Sequence, residues 1–318
     1  MSIRKRTWTA AGETKSAWVV VYRDQHGKRR LKTFNLKKDA EAWATTALHE
    51  VAQGAHASDT KTSVADIVDA WISHGIDEGL ERGTIEPRKR HLKLHIAPFI
   101  GPVKLADLTT PRVNGFMDQL RDGGRSQAMR RKILTSLSSA VTFAKGRGLV
   151  AQNACQGVKV RSDGRGKTKV VIPTKSELKL LIDRAPERWR PFIVTAIFTG
   201  MRVSELRGLR WADVDLDAGI IHVTQRADAW GTIGSPKSAA GTRDIPLTPL
   251  VVNTLRQWKL QNSGELVFPN SHGRPFKYAN FHTFVWKPLL KACNSNYEFH
   301  SLRHAAASLF IELGWQPK

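Results

Sequence analysis

The segment FHSLRHAAASLF, residues 299 to 310, sets His300 and Arg303 three positions apart. On a helix that spacing puts an imidazole and a guanidinium on one face, while Leu302, Ala306, Leu309 and Phe310 form the apolar stripe. Such a pair can clamp one phosphate. Arg202, in TGMRVSELRGLRWADVD, follows the break at Thr199-Gly200 and stands near the start of another helix, beside exposed backbone amides suited to an anion. Each feature also has a plainer explanation: incidental polar residues on a surface helix, or an arginine paired with Glu205. His304 projects another way and reads as structural.

These residues need a scaffold. Helical stripes at 176–184, 190–199 and 203–210 precede short strands at 219–226 and 242–247, and helices return at 248–260, 279–291 and 301–313. Arg202, Lys237, His300 and Arg303 therefore lie on a helix start, a hairpin loop and a late helix, and only folding brings them together. Upstream, Ser63 and Asp66 form a capping box ahead of the stripe Val64, Ile67, Val68, Trp71, Ile72. Further helical patterns cover about 85–97, 111–121 and 126–145. The last has Ile133, Leu134, Leu137 and Val141 inside and Arg130, Arg131 and Lys132 near its start. The first segment, AWVVVYRDQHGKRRLKTF, reads as a hairpin: Trp18, Val20 and Tyr22 alternate, the chain turns at Gly27, and a basic strand ends at Phe34. A helix carrying Ala40, Trp43, Ala44, Ala47, Leu48 and Val51 covers it. Lys28, Arg29, Arg30 and Lys32 either read a groove or solvate an edge strand, and the hairpin alone does not choose. Breaks at 52–62 and 161–169 separate three segments.

Charge indicates a partner. The 318 residues hold 50 Lys+Arg against 28 Asp+Glu, a net +22 that favours a polyanion. The surplus is +6, +8 and +8 over residues 1–58, 59–167 and 168–318, so every segment can touch phosphates, as in a chain wrapped along DNA. No stretch approaches a spanning helix and the start MSIRKRTWTA has no apolar signal core, which points to a cytoplasmic protein. Cys155 and Cys293 are too few for a disulfide framework or a zinc cluster. His91 and His95 sit one turn apart among Arg88, Lys89, Arg90 and Lys93, a basic helix face that repels a metal cation. Asp213, Asp215 and Asp217 lack the glycine and the bidentate glutamate of a calcium loop.

Taken in order, TGMRVSEL, PKSAAGTRDIPL and HSLRHAAAS resemble the first arginine box, the lysine hairpin and the His-x-x-Arg box of the tyrosine recombinases, the phage integrase family. The resemblance extends over the whole chain. It implies a multidomain α+β fold: an arm-type DNA-binding domain of sheet plus helix at 1–58, a helical, SAM-like core-binding domain at 63–160, and a mainly helical catalytic domain with a small antiparallel sheet at 168–318. Arg202 and Arg303 would hold the non-bridging oxygens of the scissile phosphate, and His300 would assist proton transfer. Lys237 would protonate the leaving 5′-oxygen, and Glu205 would buttress Arg202. Arg88, Lys89, Arg90, Arg130, Arg131 and Lys132, with the cations of the first hairpin, would contact DNA. No cofactor and no metal are implied, because a tyrosine stores the broken bond as a 3′-phosphotyrosine.

The departure from the family pattern concerns that tyrosine. Tyr22, Tyr278 and Tyr297 are the three present, and none has the family's nucleophile position, beyond the His-x-x-Arg helix. Trp315 comes too early to be the family's downstream tryptophan. Two expectations follow: a site-specific recombinase of a prophage or mobile element whose attacking segment is missing, or a naturally truncated DNA-binding protein that occupies attachment sites without cutting. A type IB topoisomerase shares the chemistry but not the arm-like first domain. Implied partners are double-stranded attachment-site DNA, further copies in a tetramer weakened by the truncation, and DNA-bending accessory factors. The expected location is the bacterial nucleoid.

Overall fold

The computed structural model describes residues 1–10, 13–23, 27, 29–52, 61–161, 171–236 and 238–312. Contacts divide the chain into two compact units, Met1–Arg165 and Gly166–Lys318.

The first unit opens with an antiparallel sheet of β1 (Ser2–Ala10), β2 (Glu13–Arg23) and β3 (Arg29–Phe34), with β2 in the middle. The register opposes Trp18 to Phe34, Val20 to Lys32 and Tyr22 to Arg30, so these alternate residues share one face. Helix α1 (Lys37–Ala52) covers that face: Val20, Ala40 and Ala44 are buried, with Ile3, Trp18, Phe34 and Trp43 packed around them. The Trp43 ring meets Tyr22 at 5.1 Å and Phe34 at 5.7 Å. Strand β1 is absent from the sequence reading. SIRKRTWTA has no apolar alternation to announce it, and pairing with β2 along its whole length makes it a strand.

The helical part comprises α2 (Val64–Asp77), α3 (Arg82–His91) running through a wider π turn at Leu92–Ile96 into α4 (Ala97–Phe99), then α5 (Thr110–Asp122) and α6 (Gln127–Gly146). The capping box forms as read: the Ser63 amide donates to Asp66 Oδ2 at 2.9 Å and the Asp66 amide to Ser63 Oγ at 3.2 Å. The core gathers Val64, Ile67, Val68, Ile96, Leu105, Leu120, Ile133 and Leu137, each at most 2 % exposed. The expected basic face around His91 and His95 is corrected here. Lys89, Arg90 and Lys93 are exposed, but both histidines turn inward, at 9 % and 7 % exposure, and His91 Nδ1 lies 2.8 Å from Ser136 Oγ.

Burial depresses the pKa of both rings, helped by His95, Arg90 and Lys132 at His91 and by Arg125 at His95. The unfolded chain takes up these protons near pH 6.5 whereas the folded one resists them, so this stability is present above that value and lost as pH falls. The urea midpoint of the first unit should drop between about pH 7.5 and about pH 5.5, and His91→Gln should flatten the drop. An unchanged slope in the variant would exclude His91 as the source.

The second unit holds α7 (Lys175–Arg184), α8 (Arg190–Thr199) and α9 (Val203–Gly208), an antiparallel sheet in the order β4 (Val214–Asp215), β5 (Ile220–Val223), β8 (Arg243–Pro246), and a small ladder of β6 (Arg226–Ala227) and β7 (Ile233–Gly234). Helix α10 (Pro249–Gln261) follows, then α11 (Tyr278–Phe281), which passes through a π turn into α12 (Lys287–Ala292), and α13 (Ser301–Glu312). Phe192 of α8, fully buried, has Phe268, Phe276, Phe281 and Phe299 within 5.4 Å between ring centres. Fully burying one such side chain stabilises by roughly 1.5–3 kcal/mol. The aromatic core therefore fixes where α13 docks, through Phe299 just ahead of it and Leu302 within it. On α13 the deepest residues are Leu302, Ala305 and Ala306, while Leu309 and Phe310, expected in the stripe, are half-buried.

The architecture is α+β, as expected. Among the described residues no helix is long and apolar enough to cross a membrane.

A cationic site built around Glu205

Helix α8 ends at Thr199, and Gly200 turns the chain in the left-handed region at φ 59°. A Cβ at Gly200 would stand 3.0 Å from the Ala306 methyl, so glycine on one side and alanine on the other let this turn lie against α13. The close approach has a chemical result. Arg303, on the same helix, donates from Nη1 to the Gly200 carbonyl, and Arg202 lies just beyond on the turn.

Glu205 organises the cluster. Its carboxylate is buried and accepts from Arg202 Nη1 at 2.8 Å, the Arg202 amide at 2.9 Å and Arg243 Nη2 at 2.8 Å. Burial alone would push its pKa up, but the hydrogen bonds from Arg243 and Arg202 outweigh it and hold the carboxyl below the usual glutamate value. The notion of an anion site at a helix N-terminus is corrected: α9 has six residues, and Glu205 already occupies the Arg202 amide.

Arg243 is the residue that sequence reasoning missed. It opens β8 opposite Val223, so the sheet delivers a second guanidinium to Glu205, beside that of Arg202. The signal was the alternation in TRDIPL, where Arg243 and Ile245 share a face and Ile245 is buried.

His300 is exposed just before α13, and its ring meets that of His304 edge to face at 5.1 Å, so His304 belongs to the cluster and does not project away from it. Burial lowers the His300 pKa, as do His304, Arg303 and Arg202, which favours a neutral imidazole. Burial also lowers that of Arg303, reinforced by Arg202 and Arg243 and opposed by Glu205. Two cavities flank Arg303. One of about 300 Å³ is lined by Thr199, Gly200, Arg243, Arg303 and His304 among others, and one of about 230 Å³ by Met201, Tyr278, Phe299, His300 and Arg303 among others. Arg202, Arg303 and His300 are thus brought together, with Glu205 behind them. Lys237 lies outside the described residues. Three guanidiniums and two imidazoles around one carboxylate can hold a tetrahedral anion and present a neutral nitrogen to an oxygen of it.

The tyrosines are placed otherwise. Tyr22 is buried in the first unit's sheet. Tyr297 is 7 % exposed, and burial pushes its pKa up to about 12. Tyr278 lines the smaller cavity, but burial and Glu298 push it up to about 12 as well. Among the described residues no group of three or more His, Cys, Asp or Glu could hold a metal. The aspartate triplet is spent on Arg210 and Thr224 (Asp213), the backbone amides of Asp217 and Ala218 (Asp215), and Arg256 (Asp217).

In the first unit the expected DNA-contacting residues divide. Lys28 lies outside the described residues. Arg29 is exposed on the sheet face away from α1, the face that Arg4 and Arg6 of β1 share. Arg30 and Lys32 point to the α1 face, where Lys32 Nζ sits 4.9 Å from the centre of the Trp43 ring. Lys89, Arg90, Arg131 and Lys132 are exposed. Arg88 stacks on Trp71 at 3.9 Å. Arg130 is corrected as a surface contact: it is 4 % exposed, and its Nε donates to the Arg125 carbonyl at 3.2 Å.

The family model described as "Phage integrase family" matches residues 173–318. The chain is 24% identical over 333 residues to an integrase of Streptomyces ambofaciens, covering 95% of this chain and 84% of the relative. Its fold is similar to that of the Tn1549 transposon integrase in complex with a circular intermediate DNA, at a TM-score of 0.71 and 18% identity over 80% of this chain and 89% of that one. It is also similar to a lambda integrase tetramer bound to a Holliday junction, at 0.65 and 19% over 98% and 92%.

Proposed function

Because this chain belongs to the phage integrase family of tyrosine recombinases, we propose that it binds double-stranded DNA at attachment sites and gathers one backbone phosphate into the cluster around Glu205. The reaction served there is strand cleavage and rejoining through a 3′-phosphotyrosine. The observation that supports this reading is the meeting of Arg202, Arg303 and His300, some hundred residues apart in sequence, on one cationic surface. Arg202 and Arg303 take the non-bridging oxygens, where guanidinium donors strengthen as charge grows in the transition state. Glu205 holds Arg202 in place. Neutral His300 accepts or passes a proton at the same phosphate, and Lys237 protonates the leaving 5′-oxygen. The first unit, with an arm-type part at 1–58 and a core-binding part at 63–160, supplies further backbone contacts. Assembly into a tetramer on paired sites, aided by DNA-bending accessory factors and occurring at the nucleoid, completes the reading.

The placement of the tyrosines favours a second reading for residues 1–318 by themselves, as a protein that occupies attachment sites without cutting. Two buried rings, Tyr22 and Tyr297, and one half-buried phenol, Tyr278, offer no activated attacking oxygen. A nicked suicide duplex incubated with residues 1–318 should give no covalent adduct, and a phosphotyrosyl band mapping to any of the three would overturn this reading. In a form extended to carry an attacking tyrosine, Arg202→Ala or Arg303→Ala should slow cleavage by roughly a hundredfold or more, the loss seen on removing a preorganised transition-state donor. Cleavage at the unaltered rate would remove that residue from the site.

A further inference from the structure

The smaller cavity beside Arg303, of about 230 Å³, holds a polar side chain to which neither reading above gives a part. Its walls are mostly apolar, formed by Ala196, Met201, Val203, Phe299 and Leu302. The polar side chains that line it are His300, Arg303 and Tyr278. Tyr278 is half-buried, and its hydroxyl has no hydrogen-bond partner among the described residues.

The phenol is held in place from several directions. Arg207, buried on the same short helix as Glu205, donates from Nε to the Phe276 carbonyl at 2.7 Å and from Nη1 to the Asp228 carbonyl at 2.6 Å. Two residues beyond Phe276, Tyr278 begins α11, and its ring packs against Phe281 at 6.1 Å and edge-on to Phe299 at 6.2 Å. Phe299 immediately precedes His300, so the aromatic core that docks α13 also sets the phenol against the imidazole and the Arg303 guanidinium. Burial and Glu298 keep the phenol protonated throughout the neutral range. That proton makes it a poor nucleophile and a ready donor. Arg303 also offers only donors, so a ligand that reaches both must supply acceptors, and the apolar walls strengthen each bond by lowering the local dielectric. A phosphate oxygen meets that requirement.

We propose that Tyr278 serves the site as an uncharged donor, its hydroxyl hydrogen-bonding a non-bridging oxygen of the phosphate that Arg202 and Arg303 hold. The proposal rests on the reading of the cluster around Glu205 as a phosphate site. It gives a tyrosine there a part that is not nucleophilic attack.

The experiment compares the whole chain with Tyr278→Phe, which keeps the ring and its packing on Phe281 and Phe299, so thermal melting should match the parent. Each binds a duplex that the chain selects from a random pool, unmodified or carrying one methylphosphonate of defined configuration, which replaces a single non-bridging oxygen by a methyl group. On the unmodified duplex the variant should bind about tenfold more weakly, the loss of one hydrogen bond to a charged group. Its salt slope should equal the parent's, because no charge is removed, whereas losing a cation from a phosphate makes the slope shallower by about 0.9. The tenfold difference should vanish for one configuration at the one phosphate that Arg303→Ala also ceases to sense, and persist at the others. A variant that binds the unmodified duplex as tightly as the parent limits Tyr278 to packing and overturns the proposal. So does a variant that shows the same loss on every modified duplex, since its hydroxyl then touches no oxygen of that phosphate. Both results leave the phosphate site standing. If no methylphosphonate weakens the parent, the phosphate site is itself absent, and the proposal falls with it.

Discussion

Glu205→Ala should destabilise the second unit by about 3 kcal/mol, at the low end of what breaking a buried ion pair costs, because Arg202 and Arg243 keep some access to water. The reason is geometric. One buried carboxylate accepts from two guanidiniums and a backbone amide, and an alanine leaves all three donors facing each other with no acceptor between them. Glu205→Gln, which keeps one acceptor oxygen and the shape, should fall between the two. Denaturant midpoints at neutral pH check this, and an alanine variant as stable as the parent would show that the guanidiniums do not depend on Glu205. Duplex affinity should not fall in parallel, since the substitution removes a buried negative charge from behind the proposed phosphate site.

Salt should have the larger effect on binding. A chain that neutralises about 6–10 phosphates loses roughly a thousandfold to a hundred-thousandfold in affinity between about 50 and about 200 mM salt. With net +22 spread over every segment, this chain belongs in that range. Titration of a fluorescent duplex across the interval gives the slope directly. A slope near −2 would mean that only the second unit's cluster touches the backbone and that the surpluses of the first unit are solvated faces.

What could be read from the sequence followed from periodicity. The helices of both units, the capping box at Ser63 and the convergence of Arg202 with His300 and Arg303 all rest on local spacing or on ordered boxes. What escaped depends on partners distant in sequence. Strand β1 exists because β2 pairs with it along its length. Arg243 joins the site because the β5 and β8 pairing carries it to Glu205. His91, His95 and Arg130 look like a basic face in one dimension, and their burial is decided by which side of each helix meets the core. His304 is different: it stands four residues from His300, one helical turn away, so its contact was within reach of local spacing and its direction was misread.

The shared hold of Arg202 and Arg303, about a hundred residues apart in sequence but adjacent in the second unit, on one phosphate is the proposal on which the site depends. It is tested most directly by ethylation interference on a duplex that this chain selects from a random pool, since ethylation removes the charge of single phosphates. With the parental protein, one phosphate in each bound half should block binding when ethylated, and that block alone should disappear in both Arg202→Ala and Arg303→Ala. If the two variants relieve interference at separate phosphates, or at none, the two side chains do not share a ligand and the account is wrong.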